Sequence, residues 1–352
     1  MQSPHRRGIL LALASAALFG ASTPLAKLLL GAMDPWLTAG LLYLGAGIGL
    51  VAVQLGRKAA GLAESEAPLR RADLSRLAAV VAAGGVTGPL LLMLGLARTD
   101  AAAAALLLNL EGLATMGIAW LVLRENVDRR LLLGALAILA GALVLSWQGG
   151  GVALGPGALL IAAACLAWGI DNNLTRGLSA ADPVQIATVK GLVAGTVNTA
   201  LALALGSRLP DPAAAMAAGL VGFLGYGVSL VLFVLALRHL GTARTGAYFS
   251  LAPFVGAALA VAMLGEPLTV RLLAAGLLMG LGLYLHLAER HEHDHRHEPM
   301  EHEHAHVHDI HHRHAHADGT SPDEPHVHRH RHAPLVHRHP HYPDLHHRHD
   351  HA

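Results

Sequence analysis

Trp168-Gly169-Ile170-Asp171-Asn172-Asn173-Leu174-Thr175-Arg176 lies inside a long apolar run from about Ala158 to Leu178. It puts one carboxylate and two amides where hydrocarbon is expected. Ionisable groups at membrane depth are costly, and they face a partner or a wet cavity. The stretch has an echo near the N-terminus, Phe19-Gly20-Ala21-Ser22-Thr23-Pro24-Leu25-Ala26-Lys27, with an aromatic-Gly pair first, Leu seventh and a cation ninth. Two copies of one polar-bearing helix indicate a chain built from two halves around a shared site.

Composition points the same way. The 352 residues are 53% hydrophobic and 14% charged, with a mean hydropathy of +0.46. A soluble chain carries roughly 25% charged residues, so the lipid bilayer is the expected partner, and nothing in the pattern calls for nucleic acid. The run after Arg6-Arg7 is too long for a signal-peptide core and lacks a clear cleavage site, so it reads as a first membrane helix. The single cysteine, Cys165, lies inside an apolar run and excludes an intramolecular disulfide.

A spanning helix needs about 20 mostly apolar residues. Ten segments qualify, at approximately 8–30, 36–56, 75–97, 100–122, 131–147, 157–178, 184–206, 214–237, 242–264 and 270–288. Short links marked by Asp34-Pro35, Gly149-Gly150-Gly151, Asp182-Pro183 and Pro210-Asp211-Pro212 join most of them. Lys and Arg in the links set orientation. Arg6, Arg7, Arg57, Lys58, Arg70, Arg71, Arg76, Arg124, Arg129, Arg130, Arg176, Arg238 and Arg244 fall on one side, against Arg98, Arg208 and Arg271 on the other. The bias predicts an inner (plasma) membrane protein with both termini cytoplasmic.

The halves also match at their far ends. Leu110 pairs with Leu251, Glu125 with Glu266 and Gly141 with Gly282, at one constant offset. Five helices per half means that the second half enters the membrane from the opposite side, the inverted-repeat plan of many secondary transporters. The expected fold is an all-α membrane protein. Its ten transmembrane helices form two inverted five-helix repeats, residues 1–147 and 148–288, followed by a disordered C-terminal tail, residues 289–352.

At these residues the chain resembles the EamA-type family of the drug/metabolite transporter superfamily. The resemblance is carried by Phe19-Gly20, Pro24 and Lys27, by Asn109-Leu110-Glu111 followed by Arg124-Glu125, and by their second-half counterparts. Those are Trp168-Gly169 with Arg176, and Leu251-Ala252-Pro253 followed by Gly265-Glu266. It covers about residues 8–288 and implies export of amino acids, nucleotide precursors, drugs or other metabolites. The family often has proline after the Asn-Leu-Glu of helix 4, where this chain has Gly112. Local unwinding is thus favoured by Pro253 in the second half and has no proline to favour it in the first.

Glu111 sits about 11 residues from either end of its helix, roughly 16 Å at 1.5 Å per residue, too deep for a carboxylate to reach the surface. It is the first candidate for a cavity carboxylate that binds a cationic group or exchanges a proton, with Asn109 beside it. Asp171 lies about two turns from its helix end. Asn172 and Asn173 point to different faces, so at most one or two of the three can face one cavity. Trp168, Tyr226 and Tyr248 are candidate cavity walls. Lys27 and Arg176 are cavity candidates or snorkelling cations, and Lys190 shares that ambiguity, with Asp171 as a candidate partner. Glu125 and Glu266 close their helices and are expected to orient loops, and His286 to lie near the interface. Gly45/Gly49, Gly84/Gly88 and Gly276/Gly280 let backbones approach closely, within the bundle or at a homodimer surface.

From Glu289 onward the chain changes class, and nearly all its 26 histidines fall there. They run as His291, His293, His295 and His297; His302, His304, His306 and His308; His311, His312, His314 and His316; and His326, His328, His330 and His332. With almost nothing apolar, the tail is expected to be disordered. Imidazole is mostly neutral at cytosolic pH and free to ligate, and it suits Zn, Cu, Ni and Co. The tail is therefore expected to bind transition metal, while the spanning helices require no cofactor. No Walker-type nucleotide loop occurs, and no His-Glu-x-x-His lies in the spanning segments, so neither ATP drive nor an intramembrane enzyme is expected. The function these features indicate is secondary transport, in the direction of export, of a small metabolite or a divalent transition metal. The alternative is a membrane-anchored metal sensor or buffer that does not transport.

Overall fold

Three Asp-Pro pairs decide where three of the helices begin. Asp34 Oδ1 accepts from the backbone N–H groups of Trp36 (2.9 Å) and Leu37 (3.1 Å), Asp182 Oδ1 from Val184 (2.8 Å), and Asp211 Oδ1 from Ala213 and Ala214. Each satisfies orphan donors of a first turn, and the proline that follows has no N–H to lose there.

The computed structural model describes residues 4–61, 69, 71–123, 127, 129–147, 155–176, 178, 182–240, 242–287, 292–297, 301–306, 326–331 and 335–340. Ten apolar segments account for the part before the tail. They are α1 (Pro4–Leu29), α2 (Pro35–Ala59), α3 (Leu74–Val80, Val81–Thr87 and Gly88–Leu96), α4 (Ala101–Leu107 and Leu110–Leu121) and α5 (Arg129–Ser146). The second set is α6 (Pro156–Arg176), α7 (Pro183–Ala204), α8 (Pro212–Gly222, Phe223–Val228 and Ser229–Leu240), α9 (Thr242–Phe249 and Ala252–Leu264) and α10 (Val270–Leu287). Among the described residues nine helices are long and apolar enough to cross a membrane, and the second piece of α9 is a shorter apolar helix. Before the tail the described elements are all helical, and the chain is a multi-pass membrane protein. Its outward leucines, among them Leu10, Leu55, Leu121, Leu220 and Leu277, are exposed because lipid is their solvent.

Irregular backbone recurs at matching places in both halves. α3 contains a π-helical turn at Val81–Thr87 and α8 one at Phe223–Val228. α4 is interrupted at Leu108-Asn109 and α9 at Ser250-Leu251. The interruption in α4 forms although Gly112 stands where proline would favour it. Its cause is local: the Asn109 side chain donates to the Leu106 carbonyl at 2.8 Å, so a side-chain amide competes with the helical ladder. The Leu108 and Asn109 N–H groups fall back on the carbonyls of Ala105 and Leu106. In α9, Pro253 lacks the N–H that would continue the ladder, and the Leu251 N–H likewise bonds the Tyr248 carbonyl at 3.2 Å.

The first helix of each half packs against the other half. α1 lies on α8 and the second piece of α9, and α6 on α3 and the second piece of α4. Small residues permit both crossings, with Gly20 against Ala252 and Gly256, and Gly169 against Ala114 and Thr115. α2 and α7 cross at Gly47 and Gly191, and α5 and α10 at Gly134 and Gly282. Gly45, Gly49, Gly84 and Gly88 also make their close approaches inside the chain, to Gly219, Phe223, Asp171 and Trp168.

In the tail the described residues form β1 (Glu292–His297), β2 (Glu301–His306), β3 (His326–Arg331) and β4 (Leu335–Pro340). β1 pairs antiparallel with β4, and β2 with β3. Alternating His-x-His has the period of a strand, and pairing satisfies the backbone groups. Two-stranded ladders alone are marginally stable in water. His291, His308, His311, His312, His314, His316 and His332, like Arg124 and Glu125, lie outside the described residues, as do the side chains of the remaining tail histidines and of Arg176.

Candidate functional site

The site is built on the π turn of α3. A π turn displaces carbonyls from the α-helical ladder, and the Gly84 carbonyl accepts from Tyr43 Oη at 3.0 Å and from Trp168 Nε1 at 2.9 Å. Gly84 lies about ten residues from either end of α3, roughly 15 Å at 1.5 Å per residue. It carries no side chain, and the Asp171 carboxylate occupies the space that a Cβ would need. Asp171 is therefore midway across the bundle, deeper than its position two turns from the end of α6 suggests, because α3 reaches further than α6 at that end.

Asp171 is 3% exposed. Its Oδ2 accepts from Lys190 Nζ of α7 in an ion pair, and its Oδ1 accepts from Thr175 Oγ1 at 3.1 Å. Lys190 thus bonds Asp171, its candidate partner. The Lys190 stem runs along the face that Gly85 leaves open. Two turns further on, Asn198 is fully buried and donates to the Gly85 and Val86 carbonyls at 3.5 and 3.4 Å, with its Oδ1 unpartnered among the described residues.

Asn172 and Asn173 face α4. Asn172 Nδ2 donates to Glu111 Oε1 at 3.0 Å and to Thr115 Oγ1 at 3.1 Å, and the Thr115 hydroxyl donates to the Glu111 carbonyl. Asn173 Nδ2 donates to the carbonyls of Thr115 and Gly169. The three polar residues thus divide between two neighbours, Asp171 toward α3 and α7, the amides toward α4. Glu111 lies at the midpoint of α4, as expected from its position in the segment, and is half-buried. Two hydrogen-bonded pairs, Asn172–Glu111 and Lys190–Asp171, thus stand at successive residues of α6, one toward α4 and one toward α3 and α7.

Other candidates stand elsewhere. Lys27 Nζ donates to the carbonyls of Leu96 (2.6 Å) and Thr99 (2.8 Å), closing the end of α3. Asn109 reaches Met279 Sδ of α10 at 3.8 Å. Tyr248 packs beside Ala12, Ala236 and Leu240, and His286 Nε2 meets the Leu131 carbonyl at 3.0 Å. Tyr226 belongs to a run of rings, Tyr43–Tyr226–Phe19–Phe249–Phe233, with centroids 5.5, 5.8, 5.3 and 5.0 Å apart. It joins the π turns of α3 and α8 to the interruption in α9. Glu266 accepts from the N–H groups of Ala101 (2.6 Å) and Ala102 (2.8 Å), capping the start of α4. Glu266→Ala is expected to destabilise the protein by about 1 kcal/mol, read as an earlier thermal transition in detergent, with flux per folded molecule unchanged.

Tyr43, Thr115 and Asn198 escaped the sequence, and Gly84 was read there as a packing glycine alone. Each looks ordinary in a leucine- and glycine-rich helix, although the Gly84-Gly85 doublet and a lone Asn in an apolar run were available signals. Among the described residues no group of three His, Cys, Asp or Glu could hold a metal ion.

The model of the EamA-like transporter family matches residues 6–147 and again residues 155–288. An uncharacterized transporter of Methanothermobacter thermautotrophicus is 32% identical over 281 residues, covering 74% of this chain and 80% of the relative. An uncharacterized protein of Pseudomonas aeruginosa is 34% identical over 177 residues, covering 50% of this chain and 61% of that one. A solved crystal structure superposes with a TM-score of 0.57 at 20% identity, over 79% of this chain and 95% of the other, which shows a shared fold.

Proposed function

The chain belongs to the EamA-like transporter family, and from that premise we propose that it is an inner-membrane secondary transporter that exports a small metabolite or a divalent transition metal. The observation that carries the reading is the presence of two pairs, Asn172–Glu111 and Lys190–Asp171, halfway across the bundle. Charges at that depth mark a substrate or proton pathway by default. Two repeats, residues 1–147 and 148–288, would rock against each other, with the π turns and the interruptions of α4 and α9 as their bending points. Discontinuous helices beside a midplane site are the common construction of such carriers. The arginine bias of the links supports cytoplasmic termini, which puts the tail, residues 289–352, in the cytoplasm. There its His-x-His pairs would bind Ni, Co, Zn or Cu and load or tune the carrier.

Uptake by everted vesicles of Ni²⁺, Co²⁺, Zn²⁺ and a panel of amines and amino acids, with and without residues 289–352, tests this reading. Cargo flux is expected to persist in the truncated chain, while its dependence on added metal disappears. Flux of no probe, beside a metal signal that needs the tail, would instead favour the membrane-anchored metal sensor.

A further inference from the structure

We propose that residues 88–107 form a hinged flap over one end of the transport path, and that Lys27 is the latch that holds it shut. The inference rests on the transporter reading, because a carrier closes one end while the other is open. It names the part that moves and the bond that must break.

The flap is a helical hairpin bounded on both sides by irregular backbone. It consists of the Gly88–Leu96 piece of α3 and the Ala101–Leu107 piece of α4. The π turn Val81–Thr87 precedes it and the interruption at Leu108-Asn109 follows it. Helices bend at such places. Beyond both bends the base is held. Tyr43 and Trp168 donate to the Gly84 carbonyl, and Asn172 and Asn173 tie the second piece of α4 to α6. The second half repeats the construction, with residues 229–249 between the π turn Phe223–Val228 and the interruption at Ser250-Leu251. Five spans further on, that hairpin points to the opposite end of the bundle.

The two faces of the flap meet different helices. On one face, Gly95 lies against Gly157 and Ile161 of α6. On the other, Ala105 meets Gly256 of α9, which also approaches Gly20 of α1. Lys27 bridges this second seam. Its Nζ donates to the carbonyls of Leu96 (2.6 Å) and Thr99 (2.8 Å) at the flap tip, while α1 packs on α8 and α9. An ammonium on carbonyls at a helix C-terminus is a strong, charge-assisted contact, and here it joins two packing groups. Arg98, at the same tip, bonds the Leu94 carbonyl of its own helix. Glu266 reaches the tip from the non-helical link between α9 and α10, which can travel with it.

The test uses the full chain in proteoliposomes and needs no cargo. Ala105→Cys puts a thiol on the α9 face of the flap. The native Cys165, fully buried on α6 with its Sγ 3.7 Å from the Leu107 carbonyl, reports on the α6 face. N-ethylmaleimide alkylates each thiol as it meets water, and mass spectrometry reads the two sites separately. Lys27→Met keeps an unbranched stem and removes the ammonium. Alkylation of the introduced thiol should then rise by about tenfold or more, with Cys165 within about twofold of its former rate. Lys27→Arg retains a cation for the same carbonyls and should stay within about threefold of the unsubstituted latch. Ala26→Cys, fully buried one residue before the latch, serves in place of Ala105→Cys if that chain does not fold. No rise with Lys27→Met overturns the latch and leaves Lys27 a helix cap. An equal rise at both thiols overturns it as well, since that is general loosening. Either failure leaves the carrier reading to its own flux test. A flap that opens as expected, in a chain that moves none of the flux probes, would remove the carrier reading while the latch stands.

Discussion

Glu111→Gln is expected to reduce flux of every cargo by at least about a hundredfold, roughly 2.7 kcal/mol of lost stabilisation, while the protein stays folded. The substitution is nearly isosteric, and the glutamine carbonyl can still accept from Asn172 Nδ2, which now bonds Glu111 Oε1 at 3.0 Å. What disappears is the negative charge at the midpoint of α4. Removing one partner of a charge pair in a medium of low dielectric costs about 3–5 kcal/mol, so a cationic group or proton that the Glu111 carboxylate would hold on the proposed path should no longer bind. Proteoliposome uptake measures the loss, and a thermal transition within about 1 kcal/mol of wild type shows that packing is intact. Flux close to wild type in a folded Glu111→Gln protein would make this carboxylate a structural hydrogen-bond acceptor and remove it from the transport path.

The second large effect belongs to a residue with no chemistry of its own. Gly84→Ala places a methyl group in the volume of the Asp171 carboxylate. The neighbours have little freedom to yield, because Trp168 and Tyr43 are both anchored on the carbonyl of that same residue. Overpacking of this kind costs about 1–3 kcal/mol, and displacement of Asp171 also parts it from Lys190. Early thermal unfolding in detergent and flux below a tenth of wild type are the expected results. Gly117→Ala supplies the contrast: nothing lies within 4 Å of the added Cβ, so its melting profile and flux should match wild type. Equal damage from both substitutions would show that the α3 recess has no special role.

Much of this was legible because it depends on short windows of sequence. Ten apolar segments, the Asp-Pro starts of α2, α7 and α8, and the mid-helix position of Glu111 all follow from length, spacing and side-chain chemistry. The depth of Asp171 did not follow, since counting from the end of α6 ignores that α3 and α4 reach further than α6 there. Nor did the interruption of α4, where proline was the anticipated agent and the Asn109 amide acted in its place. In the tail the His-x-His alternation has the strand period, and the described residues pair in ladders.

By itself the sequence determined that this chain lives in lipid and crosses it about ten times, with a matched polar stretch opening each half. A bilayer tests each segment alone, by its length and its apolar surface, so no knowledge of neighbours is needed. Only the tertiary structure decided which buried charge meets which. Lys190 is 19 residues from Asp171, and Asn172 is 61 from Glu111. Those separations close because glycines on α3 and α6 let the helices approach, and approach is a property of pairs of surfaces that no single helix encodes.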